Sequence, residues 1–204
     1  MGGQVKATRT VIGTPGAPHE FVSALDSILR ENLPDDMNTE TVRIRLIAHA
    51  SLAVGWWTDP QRCWCYNWLG VKLGGWQGDW YTMDAPEFID GKWTVLKADK
   101  WRAFSGWSEA VTDTANRLRA QGDALEAALD PSEAADRRYA EARKKHGYWT
   151  APGSSGTEAL VSRCKRVRKY LPEGGAQDGY VPLHLVMALV VGVVILSIAL
   201  AVTL

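Results

Sequence analysis

Apolar and polar residues alternate with helical spacing near the start of the chain. From Pro18 to Leu33 the apolar positions recur every three or four residues, and Pro34 follows them directly. This spacing places the apolar side chains on one face of a helix. We therefore predict a first, amphipathic helix over residues 18–33.

A second helix follows, and its residues change from mixed polar and apolar to nearly all apolar along its length. Asn38 or Thr39 can cap its amino terminus, and beyond Leu46 nearly every side chain is apolar. Arg43 and Arg45 stand near its start, where we expect both side chains to face solvent. The pattern predicts a central, largely buried helix.

Helical spacing returns in the second half of the chain. One stretch runs from Trp107 until Pro131 breaks it, and another covers residues 132–145. A final helix is expected to be capped by Thr157 and to end before Pro172. Helices therefore dominate the predicted fold.

Two stretches between these helices favour β-structure. Residues 80–83 and 88–96 are rich in β-branched and aromatic side chains, and the second stretch contains the pair Asp90-Gly91. Asp-Gly between β-rich flanks is a strong signal for a tight hairpin turn. The chain is therefore predicted to be α+β and mainly α, with a small antiparallel hairpin lobe.

The last part of the chain is predicted to cross a membrane. From Leu185 to Leu204 there is no charged residue, and Ser197 and Thr203 supply the polar side chains. A helix of about 20 apolar residues spans a bilayer core of ~30 Å. We predict a transmembrane helix over residues 183–204, with the lipid bilayer as its partner.

The sequence thus predicts four parts. They are an extended arm over residues 1–17, a folded domain over 18–172, a linker over 173–182 and the span over 183–204. Basic residues precede the span, and the amino terminus lacks the apolar stretch of a signal peptide. We expect a single-pass, tail-anchored protein of a host inner membrane or a virion membrane.

Composition excludes some classes of function. Lysine plus arginine and aspartate plus glutamate both number 23, so the net charge is zero and no nucleic-acid partner is expected. Cys63, Cys65 and Cys164 lack the spacing of a zinc or redox site, and we expect neither metal nor cofactor. Buried free thiols are favoured over a disulfide that joins Cys63 or Cys65 to Cys164.

Tryptophan is concentrated in one part of the chain. There are ten tryptophans, and nine of them lie between Trp56 and Trp107. Such clustering predicts a groove lined with aromatic rings.

Six short blocks, taken in order, carry a family resemblance. They are 48–57 (AHASLAVGWW), 66–72 (YNWLGVK), 85–93 (APEFIDGKW), 101–104 (WRAF), 109–110 (EA) and 147–152 (GYWTAP). At these spacings the chain resembles the bacterial glucosaminidase family, glycoside hydrolase family 73, which comprises peptidoglycan hydrolases of the flagellar and autolysin type. The resemblance implies a lysozyme-like glucosaminidase domain whose partner is the peptidoglycan glycan strand.

The chain departs from this family at its most important position. Ala53 stands where the family carries its catalytic glutamate, and Phe104 replaces an active-site tyrosine. Cleavage of a glycosidic bond requires a carboxylic acid that protonates the leaving oxygen, and a methyl group cannot do this. Glu87, which matches the family's glutamate in the hairpin lobe, is a candidate to replace it, and Asp59 is a weaker one.

The resemblance also implies residues that contact the sugar. His49 occupies the family's glutamine position, where we expect a hydrogen-bonded histidine on a buried helix. Aromatic faces suit partly apolar pyranose rings. The substrate-binding candidates are Trp56, Tyr66, Asn67, Trp68, Trp80, Tyr81 and Trp101.

Three functions remain open from the sequence. The first is a working hydrolase of the N-acetylglucosamine to N-acetylmuramic acid backbone that uses Glu87 or Asp59. The second is a catalytically inactive relative that binds glycan strands and cuts nothing. The third is a structural membrane protein, for example of a membrane-containing phage, with viral capsid or membrane proteins as partners.

Overall fold

Six α-helices and a two-stranded antiparallel sheet make up the described part of the chain. The structure is a computed structural model that describes residues 2–55, 63–89, 91–148 and 155–171. The helices and strands are α1 Pro18–Asn32, α2 Glu40–Ala53, β1 Trp80–Ile89, β2 Lys92–Arg102, α3 Trp107–Ala120, α4 Gly122–Leu129, α5 Ala134–Lys145 and α6 Ser155–Arg168. The predicted α+β class, mainly α with a hairpin lobe, is confirmed.

The central position of α2 follows from its sequence. The Thr39 hydroxyl accepts a hydrogen bond from the Val42 backbone N–H at 3.3 Å, which identifies Thr39 as the cap. From Val42 to Ser51 every side chain of α2 is buried. A helix that is buried on all sides needs apolar residues on all sides, as the sequence beyond Leu46 provides.

The prediction that Arg43 and Arg45 face solvent was wrong for both residues. Arg43 is 5% exposed and donates from Nε to Oδ1 of Asp26 on α1 at 2.7 Å. Arg30 donates to the other oxygen of Asp26 at 2.6 Å. A carboxylate from a neighbouring helix thus compensates the buried charge.

Arg45 is buried more deeply and makes more contacts. Its Nε donates to Oδ1 of Asp136 at 3.0 Å, and Arg168 donates to both oxygens of Asp136 at 2.6 and 2.9 Å. The remaining Arg45 N–H groups donate to backbone carbonyls of Ala127, Ala128, Asp130 and Ser132. One side chain of α2 therefore binds the end of α4, the loop that follows, and α5.

Two helix boundaries differ from the prediction. The stretch from Trp107 is interrupted at Gln121, whose N–H donates to the carbonyls of Arg117 and Leu118. Gly122 then begins α4 before Pro131 is reached. Thr157 is not a cap, because α6 already begins at Ser155 and the Thr157 side chain is buried.

The hairpin forms at the predicted place but is longer than predicted. Trp80 pairs with Arg102 at one end and Ile89 with Lys92 at the other, with an irregularity between Met83 and Ala85. Gly91 has a φ of +80°, a conformation that favours glycine and that the turn requires.

The amino-terminal arm pairs with the hairpin lobe. Gln4 forms a parallel bridge with Trp80, and Arg9 forms an antiparallel bridge with Trp64. Ile12, near the end of the arm, is 1% exposed and belongs to the main hydrophobic core. The predicted arm therefore contacts the folded domain through the bridges at Gln4 and Arg9 and through the buried Ile12, whereas Val11 is 59% exposed.

Cys63, Cys65 and Cys164 are buried free thiols, as predicted. Burial raises the pKa of the Cys63 and Cys164 thiols to about 12. Both thiols therefore stay protonated at neutral pH and behave as small apolar side chains.

The described helices include none that is long and apolar enough to cross a bilayer. Residues 1–171 form one structural unit by themselves. The predicted linker over 173–182 and the predicted span over 183–204 lie outside the described residues.

The buried network around Asp136 yields a stability prediction. Asp136→Asn leaves the buried Arg45 guanidinium, and the half-buried Arg168 guanidinium beside it, without the carboxylate that both bind, so we expect a loss of roughly 3–5 kcal/mol in the free energy of unfolding. The measurement is urea unfolding followed by tryptophan fluorescence. Glu158→Gln is the control, because it breaks the exposed ion pair with Arg137 and should leave the midpoint unchanged. Equal midpoints for the two variants would contradict the prediction.

Candidate functional site

A cavity of about 890 Å³ lies between the end of α2, the loop over residues 67–74, the hairpin and parts of the later helices. Its volume falls within the range of ligand-binding pockets, which is roughly 300–1,000 Å³. Among the described residues that line it, the charged side chains are Lys72, Glu87, Arg102 and Arg117. Glu87 is therefore the one carboxylate in this lining.

Ala53, the last residue of α2, lies in the cavity wall beside Gly70. Gly70 has a φ of +60°, and a Cβ added there would lie 3.8 Å from the Ala53 Cβ and 3.8 Å from the Trp101 ring. The loop thus approaches the helix end in a conformation that favours glycine. The position at which the resemblance expects the catalytic glutamate faces the cavity with a methyl group.

Glu87 lies in β1 and is held by a lysine. The Lys72 ammonium is 2.9 Å from Oε1 of Glu87 and 2.9 Å from Oδ2 of Asp99, and it lies 5.7 Å from the centre of the Trp101 ring. Burial disfavours the ammonium of Lys72, but its hydrogen bonds to the two carboxylates outweigh this and raise the pKa of Lys72. The predicted candidate carboxylate is therefore present in the cavity, in an ion pair.

Asn67 and Tyr81, both predicted to bind substrate, line the cavity but are buried. The Asn67 amide donates to the carbonyls of Val71 and Arg102 at 2.8 and 3.1 Å and accepts from the Val71 N–H at 2.7 Å. Burial raises the pKa of the Tyr81 hydroxyl well above its usual value. Asn67 therefore fixes the loop against the end of β2.

Trp101 lies in the cavity wall as predicted, and Trp93 joins it. Trp93 is 66% exposed, and its ring contacts Phe88 edge to face at 5.6 Å between ring centres. It is unusual for an aromatic ring of this size to remain in contact with water beside a cavity. The sequence analysis did not include Trp93 among the substrate-binding candidates. Trp93 lies just after the hairpin turn, and nothing in the sequence at this position indicates that its ring lines the cavity.

Three predicted substrate-binding aromatics do not reach the cavity. Trp68 is 1% exposed and belongs to the main core, so its face is not accessible. The Tyr66 ring packs edge to face on Trp107 at 5.3 Å, and the Trp80 ring lies under the Lys100 ammonium at 4.5 Å. Neither ring lines the cavity, because each is directed to a different neighbour.

Trp56 and Asp59, the remaining predicted site residues, lie outside the described residues. Within the described ranges, no group of three or more histidine, cysteine or acidic side chains could hold a metal ion.

Another part of the cavity wall is made by His49, Arg117 and Tyr148. The His49 ring contacts Tyr148 edge to face at 4.4 Å between ring centres. Burial, and then the charges of Arg143 and Arg117, hold the pKa of His49 well below its usual value. His49 is thus a buried, neutral histidine at physiological pH, and it borders the cavity as well as the core.

No protein-family model matches the sequence, and no curated protein matches it. Solved structures do show a likeness. A peptidoglycan hydrolase mutant from Sphingomonas sp. A1 has a TM-score of 0.52 and 19% identity, with 71% of this chain and 97% of that chain covered. A glycoside hydrolase domain of FlgJ from Salmonella typhimurium, truncated at its carboxyl terminus, has a TM-score of 0.51 and 21% identity, with 75% of this chain and 99% of that chain covered.

These comparisons show a shared fold. The described domain has the α+β fold of these peptidoglycan hydrolase structures over almost their entire length. The resemblance to the glucosaminidase-like hydrolases, predicted from the blocks around α2 and the hairpin, is therefore confirmed at the level of the fold.

The neutral His49 yields a prediction for pH dependence. In the unfolded chain a histidine takes up a proton below about pH 6.5, whereas folded His49 stays neutral to a lower pH. The free energy of unfolding therefore decreases as the pH falls below about 6.5, by up to ~1.4 kcal/mol per pH unit. His49→Gln should remove this slope between about pH 6.5 and 5.

The free energy of unfolding, measured by urea titration at several pH values, checks the prediction. His19→Gln is the matched control, since the His19 side chain is exposed. An unchanged pH slope in His49→Gln would show that another group causes the acid sensitivity.

Proposed function

We propose that the cavity binds a glycan strand of the peptidoglycan type and that the chain is a peptidoglycan-hydrolase-like protein without efficient cleavage activity. One observation carries this proposal. Among the described side chains of the cavity, Glu87 alone is a carboxylate, and it is paired with Lys72, while Ala53 fills the expected acid position.

The chemistry of glycoside hydrolysis explains why this arrangement disfavours cleavage. One group must protonate the leaving oxygen, and a second carboxylate or the substrate's own acetamido group must stabilise the oxocarbenium-like transition state. Lys72 is a poor substitute for the acid because its raised pKa makes its proton harder to give up. Glu87 would therefore have to supply the proton itself, with the acetamido group in the second role, although its side chain is engaged by Lys72.

Binding of a glycan requires aromatic and polar contacts but no proton donor, and the cavity provides these contacts. Trp93 and Trp101 present aromatic surface, which suits the apolar faces of pyranose rings. Lys72, Glu87 and Arg102 supply polar groups that can orient sugar hydroxyls and amides. The likeness to peptidoglycan hydrolase folds supports a glycan as the ligand.

A hydrolase that uses Glu87 is the alternative. Its side chain is 15% exposed within the cavity, so it is accessible to a bound sugar. In this alternative Lys72 releases Glu87 when substrate enters, and Asp99 keeps the lysine in place.

We also propose that residues 183–204 anchor the chain in a bilayer, either a host inner membrane or a virion membrane. The uncharged stretch of the sequence supports this proposal. A phage particle with an internal membrane would carry such a domain to the cell wall, and capsid or membrane proteins of the particle would then be its neighbours.

Binding to the cell wall is the first test of the proposed function. The full chain in non-ionic detergent should be retained on purified peptidoglycan sacculi, and Trp93→Ala should weaken binding roughly 2- to 10-fold because it removes a stacking surface. Co-sedimentation at several sacculus concentrations measures the affinity. Val95→Ala is the control, because Val95 is exposed on the same strand but does not line the cavity. Absence of retention would reject the proposal.

Restoring the missing acid is the second test. We expect the natural chain to leave no clearing in a peptidoglycan zymogram, and Ala53→Glu to produce clearing, because the new carboxyl group projects from the end of α2 into the cavity. Adding Glu87→Gln to Ala53→Glu should abolish the clearing. Clearing by the natural chain that Glu87→Gln removes would establish the alternative instead.

A further inference from the structure

The cavity wall that contains Arg117 carries an excess of positive charge. Arg117 lies on α3, and its guanidinium is 5.2 Å from the centre of the Tyr148 ring, which also lines the cavity. Its Nη1 is buried and has no hydrogen-bond partner among the described residues. A buried donor of this kind is costly unless a ligand or water satisfies it.

The nearby acidic group does not balance this charge. Asp113, one turn earlier on α3, accepts from Arg102 Nη1 at 2.6 Å, so its charge is matched by Arg102. Burial lowers the pKa of Arg117, and although the charges of Tyr148 and Asp113 oppose this shift, those of Arg102 and Arg143 add to it. Asp113 is thus shared between Arg102 and Arg117, and it forms its direct ion pair with Arg102.

Arg143 is a second guanidinium close to Tyr148. Its guanidinium lies 3.5 Å from the centre of the Tyr148 ring, and its Nη1 donates to the neutral side-chain oxygen of Gln121. Arg143 is 1% exposed, and its Nε has no partner among the described residues. Arg117 and Arg143 thus place two guanidinium groups near the Tyr148 ring.

The start of α6 contributes to the same wall. Gly156, the second residue of this helix, lines the cavity together with Arg117 and Tyr148. The amino terminus of a helix carries partial positive charge and favours anions. Two independent features, the unpaired guanidinium and the helix start, therefore favour a negatively charged group at this wall.

We propose that this wall, formed by Arg117, Tyr148 and Gly156, binds a carboxylate carried by the glycan strand. The inference rests on the proposed function and specifies it: the ligand is an acidic glycan rather than a neutral polymer of N-acetylglucosamine. Two sources supply such a carboxylate, the lactyl ether of the acidic sugar and the peptide attached to it. Arg117 is then a specificity-determining residue.

Three ligands separate these sources when they are titrated against the full chain in detergent. They are an N-acetylglucosamine oligomer, a glycan fragment with its peptides removed and free lactyl carboxylates, and a fragment that retains its peptides. We expect the acidic fragments to bind more tightly than the neutral oligomer by roughly 10- to 100-fold, as charge-assisted hydrogen bonds provide. Tight binding of the peptide-free fragment identifies the lactyl carboxylate, whereas tight binding of the peptide-bearing fragment alone identifies the peptide.

Arg117→Gln should lower the affinity for the acidic fragments by roughly 10- to 100-fold and the affinity for the neutral oligomer much less. Arg119→Gln is the matched control, because Arg119 lies on the same helix, is exposed and pairs with Asp36 at 2.8 Å. Arg117→Lys keeps the charge and should retain part of the preference, which provides a second variant if Arg117→Gln does not fold.

The outcomes separate this inference from the proposed function. Equal binding of neutral and acidic ligands by the natural chain would overturn the inference alone, and so would an equal loss for all three ligands in both folded Arg117 variants. No binding of any ligand by the natural chain would overturn the proposed function and the inference with it.

Discussion

The buried ion pair between Arg45 and Asp136 is the constraint on which the domain depends. Arg45 extends from the middle of α2 and satisfies backbone carbonyls at the end of α4 as well as the carboxylate on α5, which Arg168 of α6 also binds. Charges removed from water at this depth need such a complete set of partners. The network fixes α2 against the later helices, and it thereby sets the position of Ala53 relative to Tyr148 and Arg117.

Two side chains of the cavity differ in how the fold holds them. Ala53 ends a buried helix and presents a methyl group to the cavity, so the fold has no polar side chain to desolvate at this position. The carboxylate of Glu87 stays in place because Lys72 neutralises it, so the pair is stable without any substrate. The fold therefore depends on α2 and its partners, whereas the negative charge in the cavity depends on the single ion pair of Glu87 with Lys72.

Much of the fold could be predicted from the sequence because its signals are local. The spacing in α1 and α2 and the Asp90-Gly91 turn involve residues close in the chain. The burial of Arg45 could not be predicted, because its partner Asp136 is 91 positions away. The family resemblance selected Ala53 and Glu87, and both line the cavity, while their roles toward a substrate stay predictions. The sequence could not show that Trp68 packs in the core or that Arg117 lines the cavity. The direction of each side chain depends on contacts with helices that are distant in the chain.

The amino-terminal arm also matters for the behaviour of the hairpin. The Val5 N–H donates to the Trp80 carbonyl at 2.8 Å, and the Trp80 N–H donates to the Gly3 carbonyl at 3.1 Å, so the arm pairs with the first residue of β1. An unoccupied strand edge is a template for pairing with other chains. The first few residues of this protein therefore protect one end of the hairpin from edge-to-edge pairing, and a variant that lacks them would leave the backbone groups of Trp80 unpaired.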